Sequence, residues 1–254
     1  MLEFLFQDEH LLIVNKPAGL LSVPGRGEDK QDCLSARIQQ RFPNARVVHR
    51  LDMATSGLMV FARGEGMQRE LSRMFREREV SKRYVALVEG DLGDGVSEDK
   101  NQVKSTPSLT LPQRERECRR AVEGGWWEID LPLIVDWLNR PKSKVDYELG
   151  KPSLTRYRLL GVTFDTASPT SLDTPRKRGT RDERDTLISR VELEPVTGRT
   201  HQLRLHLASI GHPIIGDALY DGRSAERLML HATHLAFVHP ITSQPLHFEI
   251  PTPF

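Results

Sequence analysis

The stretch Val48-His49-Arg50-Leu51-Asp52-Met53-Ala54-Thr55-Ser56-Gly57-Leu58-Met59-Val60 places a polar, turn-rich centre between two short apolar runs. Leu58 to Ala62 reads as a buried strand. Thr55-Ser56-Gly57 reads as the turn that feeds it, with Gly57 able to take φ > 0. Asp52 then stands just before a sharp turn at the edge of a core, beside Arg50 and His49. Two roles are open to it on these residues alone. It accepts hydrogen bonds from turn amides, as many loop aspartates do, or it is a carboxylate held at the mouth of a core for chemistry.

The segments on either side read as a strand-rich chain. Phe4–Phe6 and Leu11–Asn15 predict two short strands joined at Asp8-Glu9-His10. Asp32 is placed to cap a helix running to about Phe42. Met67–Glu77 predicts an amphipathic helix with Met67, Leu71, Met74 and Phe75 on one face and Arg69, Arg73 and Arg76 on the other. Lys82–Gly90 alternates and is rich in β formers. Leu154–Val162, Leu187–Leu193, Leu228–Val238 and Leu246–Ile250 predict further strands. Arg199–Ile210 predicts a helix burying Leu203, Leu207 and Ile210, closed by Gly211. Strands outnumber helices and strand–helix alternation is absent. The pattern therefore predicts an α+β fold on a mixed, mainly antiparallel sheet with flanking helices.

Composition narrows the function classes. The 254 residues are 38% hydrophobic, enough for a buried core, and no apolar run approaches the roughly 18 residues of a membrane span. Cys33 and Cys118 form neither a disulfide framework nor a zinc pattern, and the N-terminus lacks a basic leader, so a cytoplasmic protein is expected. With 36 basic and 35 acidic residues the net charge is +1, which excludes a globally basic nucleic-acid binder. The charge is uneven, however. Arg69–Arg83 holds six basic and three acidic residues, and Arg176–Arg184 five and two. Such patches bind phosphate locally or are simply solvated faces. His201 and His206 lie apart around the predicted helix, and His231 and His234 fall on opposite faces of a strand, so no metal site is expected from them.

His49-Arg50-Leu51-Asp52 followed by Thr55-Ser56-Gly57 resembles the signature of the RluA-type pseudouridine synthases. Leu12-Ile13-Val14-Asn15-Lys16-Pro17-Ala18-Gly19-Leu20, Lys82-Arg83-Tyr84-Val85-Ala86-Leu87, Thr197–His206, Gly211–Asp217 and Leu230-His231-Ala232 resemble the family's other motifs, in family order. Several separated matches in order are far more specific than one short pattern. Leu21–Arg26, Phe75–Glu79 and Trp137-Leu138-Asn139-Arg140-Pro141-Lys142 resemble its dual-specificity rRNA/tRNA subgroup. So does the absence of an S4-type RNA-binding module before Leu11.

The resemblance implies a single catalytic domain over 1–254, with surface insertions near 97–125 and 165–186. It implies isomerisation of uridine to pseudouridine at uridine 746 of 23S rRNA and uridine 32 of a tRNA anticodon stem-loop. A related synthase with another target, or a non-catalytic RNA-binding module, are the alternatives. Breaking the N1–C1′ bond and rejoining the base through C5 consumes no cofactor, redox equivalent or metal. It requires a nucleophile or charge stabiliser at C1′ or C6. Asp52 is the implied catalytic residue, Tyr84 the ring that stacks on uracil, and Arg204 the cation that keeps a desolvated Asp52 ionised through an Asp52–Arg204 pair. Arg50 is implied to brace the space left by a flipped base. His49, Thr55, Arg76, Lys82, Arg199 and His201 complete the implied RNA contacts. RNA is the expected partner of a protein expected to be a monomer.

Overall fold

The computed structural model describes residues 2–93, 119–164 and 187–254. The chain divides into two compact units, one formed by Met1–Val85, Glu194–Val196 and Glu226–Phe254, the other by Ala86–Leu193 and Thr197–Ala225.

The first unit holds β1 (Glu3–Gln7), β2 (Leu11–Lys16), α1 (Leu34–Arg41), β3 (Ala45–Val47), β4 (Ser56–Arg63), α2 (Glu65–Glu77), the first half of β5 (Ser81–Glu89), β12 (Leu230–Val238) and β13 (Pro245–Glu249). Its strand order is β1-β2-β4-β12-β5, with β3 beside β4 and β13 beside β12. β2 and β4 pair antiparallel from Leu11↔Ala62 to Lys16↔Gly57, whereas β12 runs parallel to β4 through His231↔Ser56 and Ala232↔Gly57. Strand alternation sorts the side chains between two cores. Leu11, Ile13, Leu58, Val60 and Ala62 meet Met67, Leu71 and Met74 of α2. Leu12, Val14, Met59 and Phe61 meet Leu34 and Ile38 of α1. A sheet covered on both faces explains why β2 and β4 read as continuous apolar runs.

Two local expectations change. The α1 cap is Cys33, whose sulfur accepts from the Ala36 N–H at 3.5 Å, while Asp32 pairs with Arg37 at 2.6 Å. Ser56 and Gly57 belong to β4 itself, and the turn lies earlier, closed by Thr55 N–H donating to the Asp52 carbonyl at 3.1 Å. Gly57 does take positive φ, at 116°. A Cβ there would lie 2.3 Å from the Ala232 carbonyl oxygen, so only glycine permits the close approach of β12.

The second unit holds the second half of β5, then β6 (Arg119–Val122), β7 (Trp126–Asp130), the ribbon β8 (Leu133–Val135) and β9 (Ser143–Val145), β10 (Leu154–Phe164), β11 (Leu187–Pro195, continuing into the first unit) and α3 (Gln202–Ser209). The order is β5-β11-β10-β7-β6. The stretch 97–125 read as an insertion ends in β6 and the turn Glu123–Gly125, with β6 paired antiparallel to β7; 97–118 and 165–186 lie outside the described residues. α3 starts three residues later than its pattern suggests, after His201 in the left-handed conformation (φ 54°). It has no single apolar face. Gln202 through Leu207 are all buried, and the polar members among them hydrogen-bond to neighbouring segments, although His206 Nδ1 is left without a partner. Gln202 Nε2 donates to the Leu154 carbonyl at 2.9 Å, and His206 Nε2 lies 3.0 Å from Ser153 Oγ. Gly211 ends the helix at φ 83°, as expected. The α+β, mainly antiparallel architecture agrees with the expectation. Among the described residues no helix is long and apolar enough to cross a membrane.

Candidate active site

In the first unit the Asp52 turn is held from beneath by the segment that follows β2. Lys16 is fully buried, and its Nζ donates to the carbonyls of Pro17 (2.9 Å), Leu20 (2.6 Å) and Met53 (3.1 Å). Gly19 N–H donates to the same Met53 carbonyl at 2.8 Å. On the other side Ser22 Oγ donates to the Leu51 carbonyl at 2.6 Å and accepts from the Leu51 N–H at 3.1 Å. Both neighbours of Asp52 are thus pinned by hydrogen bonds, with the half-buried carboxylate between them. Burial lowers the Lys16 ammonium to about 8; the Asp52 charge opposes that shift and Arg227 adds to it.

Tyr84 is half-buried and packs against the α1-side core. Burial first, and the Asp52 charge second, push its phenol above the ordinary value, so it stays a neutral O–H donor at physiological pH. Asp52 and Tyr84 are therefore in electrostatic contact, one as an acceptor and the other as an apolar ring with a proton.

The residues read as RNA contacts divide. Arg50 is exposed. Arg76 is 71% exposed, with Glu77 3.8 Å away. Its helix neighbour Arg73 is instead committed to carboxylates, with Glu70 at 2.7 Å, Glu79 at 2.9 Å, and Glu77. His49 is engaged in packing. Its ring stacks on Phe75 with centroids 4.5 Å apart, and its Nε2 accepts from the Val60 N–H at 3.1 Å. Burial lowers its pKa to about 3, with Lys82 adding to the effect, so the ring is neutral. Lys82 caps Phe75 at 5.7 Å, and Thr55 is buried.

One group escaped the sequence reading. Arg227 Nη2 donates to Ser56 Oγ, which lies 2.6 Å from His231 Nδ1. A guanidinium can only donate, so Ser56 Oγ accepts from Arg227 and keeps its proton and its second lone pair for His231 Nδ1. Burial, reinforced by Arg227, lowers His231 to about 4. The signal for this trio in the sequence is weak, because Ser56 and His231 are 175 residues apart.

In the second unit Arg204 sits on α3. Its Nε and Nη2 donate to the two Asp217 oxygens at 2.7 and 2.6 Å. The Asp217 carboxylate also accepts from the N–H groups of Leu219 and Tyr220. Tyr220 lies against the guanidinium, 5.3 Å from ring centroid to Cζ. Its hydroxyl accepts from Ser143 N–H at 2.8 Å and lies 2.9 Å from His201 Nδ1. His201 is thereby tied to Tyr220, and Arg199 is exposed, with Nε donating to the Pro152 carbonyl. Sequence reading did not single out Asp217 and Tyr220 as the partners of Arg204.

Of the four histidines read against a metal site, three are hydrogen-bonded to protein groups, and the fourth, His234, lies in a group able to hold an ion. His231 bonds Ser56, His206 bonds Ser153, and His201 bonds Tyr220. Among the described residues the one group able to hold an ion is His234, His247 and Glu249, on the outward face of the β12–β13 ribbon.

Residues 10–209 match the family model for RNA pseudouridylate synthase. The chain belongs to the RNA pseudouridylate synthase family. It is 41% identical to the dual-specificity RNA pseudouridine synthase RluA of Escherichia coli (strain K12), over all of this chain and 94% of the relative. It is 37% identical, with the same coverage, to the RluA of Haemophilus influenzae. Among solved structures, human RNA Pseudouridylate Synthase Domain Containing 1 superposes with a TM-score of 0.67 at 25% identity, covering 100% of this chain and 84% of that one. The chain is thus an RNA pseudouridine synthase, an enzyme that isomerises uridine in RNA to pseudouridine.

Proposed function

We propose that the chain acts in the cytoplasm as a monomer and a single catalytic domain, and that it modifies a loop uridine in two RNAs: uridine 746 of 23S rRNA and uridine 32 of a tRNA anticodon stem-loop. The dual specificity named for its 41%-identical relative supports this choice. Asp52 is the catalytic carboxylate. One observation carries that assignment: the backbone on both sides of Asp52 is pinned by Lys16 and Ser22, and a protonated Tyr84 stands within its field.

The flipped uridine stacks on the Tyr84 ring and presents its glycosidic centre to Asp52. Asp52 attacks C1′, adds to C6, or assists abstraction at C2′ while N1–C1′ breaks. The detached uracil turns, held against the ring, and rejoins through C5. Arg204 is the cation of the proposed catalytic set, and Arg50, exposed next to Asp52 in sequence, braces the space the base has left. Every atom of the substrate is retained, so no co-reactant enters the balance.

The decisive comparison is Asp52→Ala against the wild type on a stem-loop RNA. The variant is expected to bind the RNA with unchanged Kd and to form no pseudouridine. An Asp52→Ala protein that still converts uridine sinks the assignment. A wild-type protein that binds the RNA without converting it supports the non-catalytic alternative. Carbodiimide mapping of rRNA and tRNA from cells lacking the protein tests the two target sites.

A further inference from the structure

The turn between β8 and β9 presents large apolar side chains to water. Trp137 is 69% exposed and Leu138 95% exposed. An indole is rarely left so uncovered without a partner. The turn is nevertheless well ordered by its own hydrogen bonds. Asp136 N–H donates to the Lys142 carbonyl and Lys142 N–H to the Asn139 carbonyl, both at 2.9 Å. Asn139 Nδ2 donates to the Asp136 carboxylate at 2.8 Å, which holds that carboxyl below its ordinary pKa. The acidic group is thus committed to Asn139 within the turn. Among the described residues the turn's carboxylate does not pair with its basic groups: Arg140 is exposed, with its guanidinium 3.2 Å from the Trp137 ring centre, and Lys142 is half-exposed.

The base of this ribbon is anchored. Ser143, the partner of Val135 across β8–β9, donates its N–H to the Tyr220 hydroxyl and its Oγ proton to the Thr200 carbonyl at 3.2 Å. Tyr220 is the ring against Arg204. A rigid arm therefore connects the indole to the Arg204–Asp217 pair.

We propose that the Trp137–Arg140 turn is an RNA-docking arm: the indole stacks on an unpaired base of the substrate other than the target uridine, while Arg140 and Lys142 contact the flanking phosphates. This rests on the RNA synthase reading above and names a contact outside the reacting nucleotide. An aromatic ring interleaved with cations is the arrangement that holds single-stranded nucleic acid. Aromatic stacking is tolerant of base identity, whereas the cations follow the backbone.

The test compares Trp137→Ala and Trp137→Phe with wild type on a stem-loop RNA that the wild type converts. Trp137→Ala is expected to raise both Kd and KM by about 5- to 100-fold, the loss of one stacked base, while kcat at saturating RNA holds. Trp137→Phe regains much of that affinity. Arg140→Ala lowers the salt dependence of binding by about one ion. Thermal midpoints stay at the wild-type value, since the side chain is exposed. Kd and KM within two-fold of wild type in Trp137→Ala overturn the proposal, and would leave the turn to a protein partner. A loss that falls on kcat alone, or that tracks a lowered midpoint, overturns it too. Failure of the wild type to convert any RNA defeats the synthase reading instead.

Discussion

Arg204 and Asp217 form a two-pronged ion pair, with N–O distances of 2.7 and 2.6 Å and side chains 5% and 0% exposed. Asp217 orients the guanidinium in its plane, and Tyr220 limits its movement on one side. The guanidinium is thus held in one orientation by groups of its own unit.

Neutralising one partner of that pair leaves an uncompensated buried charge. Asp217→Asn is expected to lower unfolding free energy by about 3–5 kcal/mol, read from the denaturant midpoint at constant m. It should also lower kcat at temperatures where the variant is fully folded. Arg204→Met should cut turnover sharply, and normal turnover in that variant would remove Arg204 from the chemistry.

Tyr84→Phe keeps the ring that stacks on uracil and deletes the hydroxyl. If the phenol moves a proton, kcat falls by about 10²-fold or more while KM for the RNA is unchanged. Undiminished kcat assigns Tyr84 to stacking alone. The raised pKa of the phenol predicts no loss of activity from Tyr84 ionisation up to pH 10.

Acid should unfold this protein through its buried histidines. His206 and His231 are lowered to about 4, and both are almost completely buried. Between pH 6.5 and 4 the unfolded chain binds protons that the folded chain refuses. Stability therefore rises with pH through that window and is lost as pH falls, by about 1.4 kcal/mol per unit for each histidine. Urea titrations at pH 7, 5.5 and 4.5 measure the slope, and His206→Gln should reduce it.

Gly57→Ala tests the approach of β12 to β4. The added methyl would overlap the Ala232 backbone, and φ of 116° strains any L side chain. A loss of at least about 3 kcal/mol is expected. A wild-type midpoint would show that the strands separate at little cost.

Much of this protein was determined by its sequence alone. The apolar runs of β2 and β4 and the period of Met67, Leu71 and Met74 in α2 announce a sheet covered on both faces, because burial alone dictates those patterns. The motif around Asp52 marked the turn, and ordered motifs along the chain pointed to the family. Tertiary structure decided the partners. Lys16 enters the sequence reading only as one member of a motif, yet it is fully buried and donates to three carbonyls. His49 reads as an RNA contact, yet Phe75 and the Val60 amide claim its ring. α3 has no amphipathic period because packing surrounds it. Hydrogen-bond partners and desolvation arise where segments distant in sequence meet, and local residue patterns carry no record of which polar groups that meeting will pair.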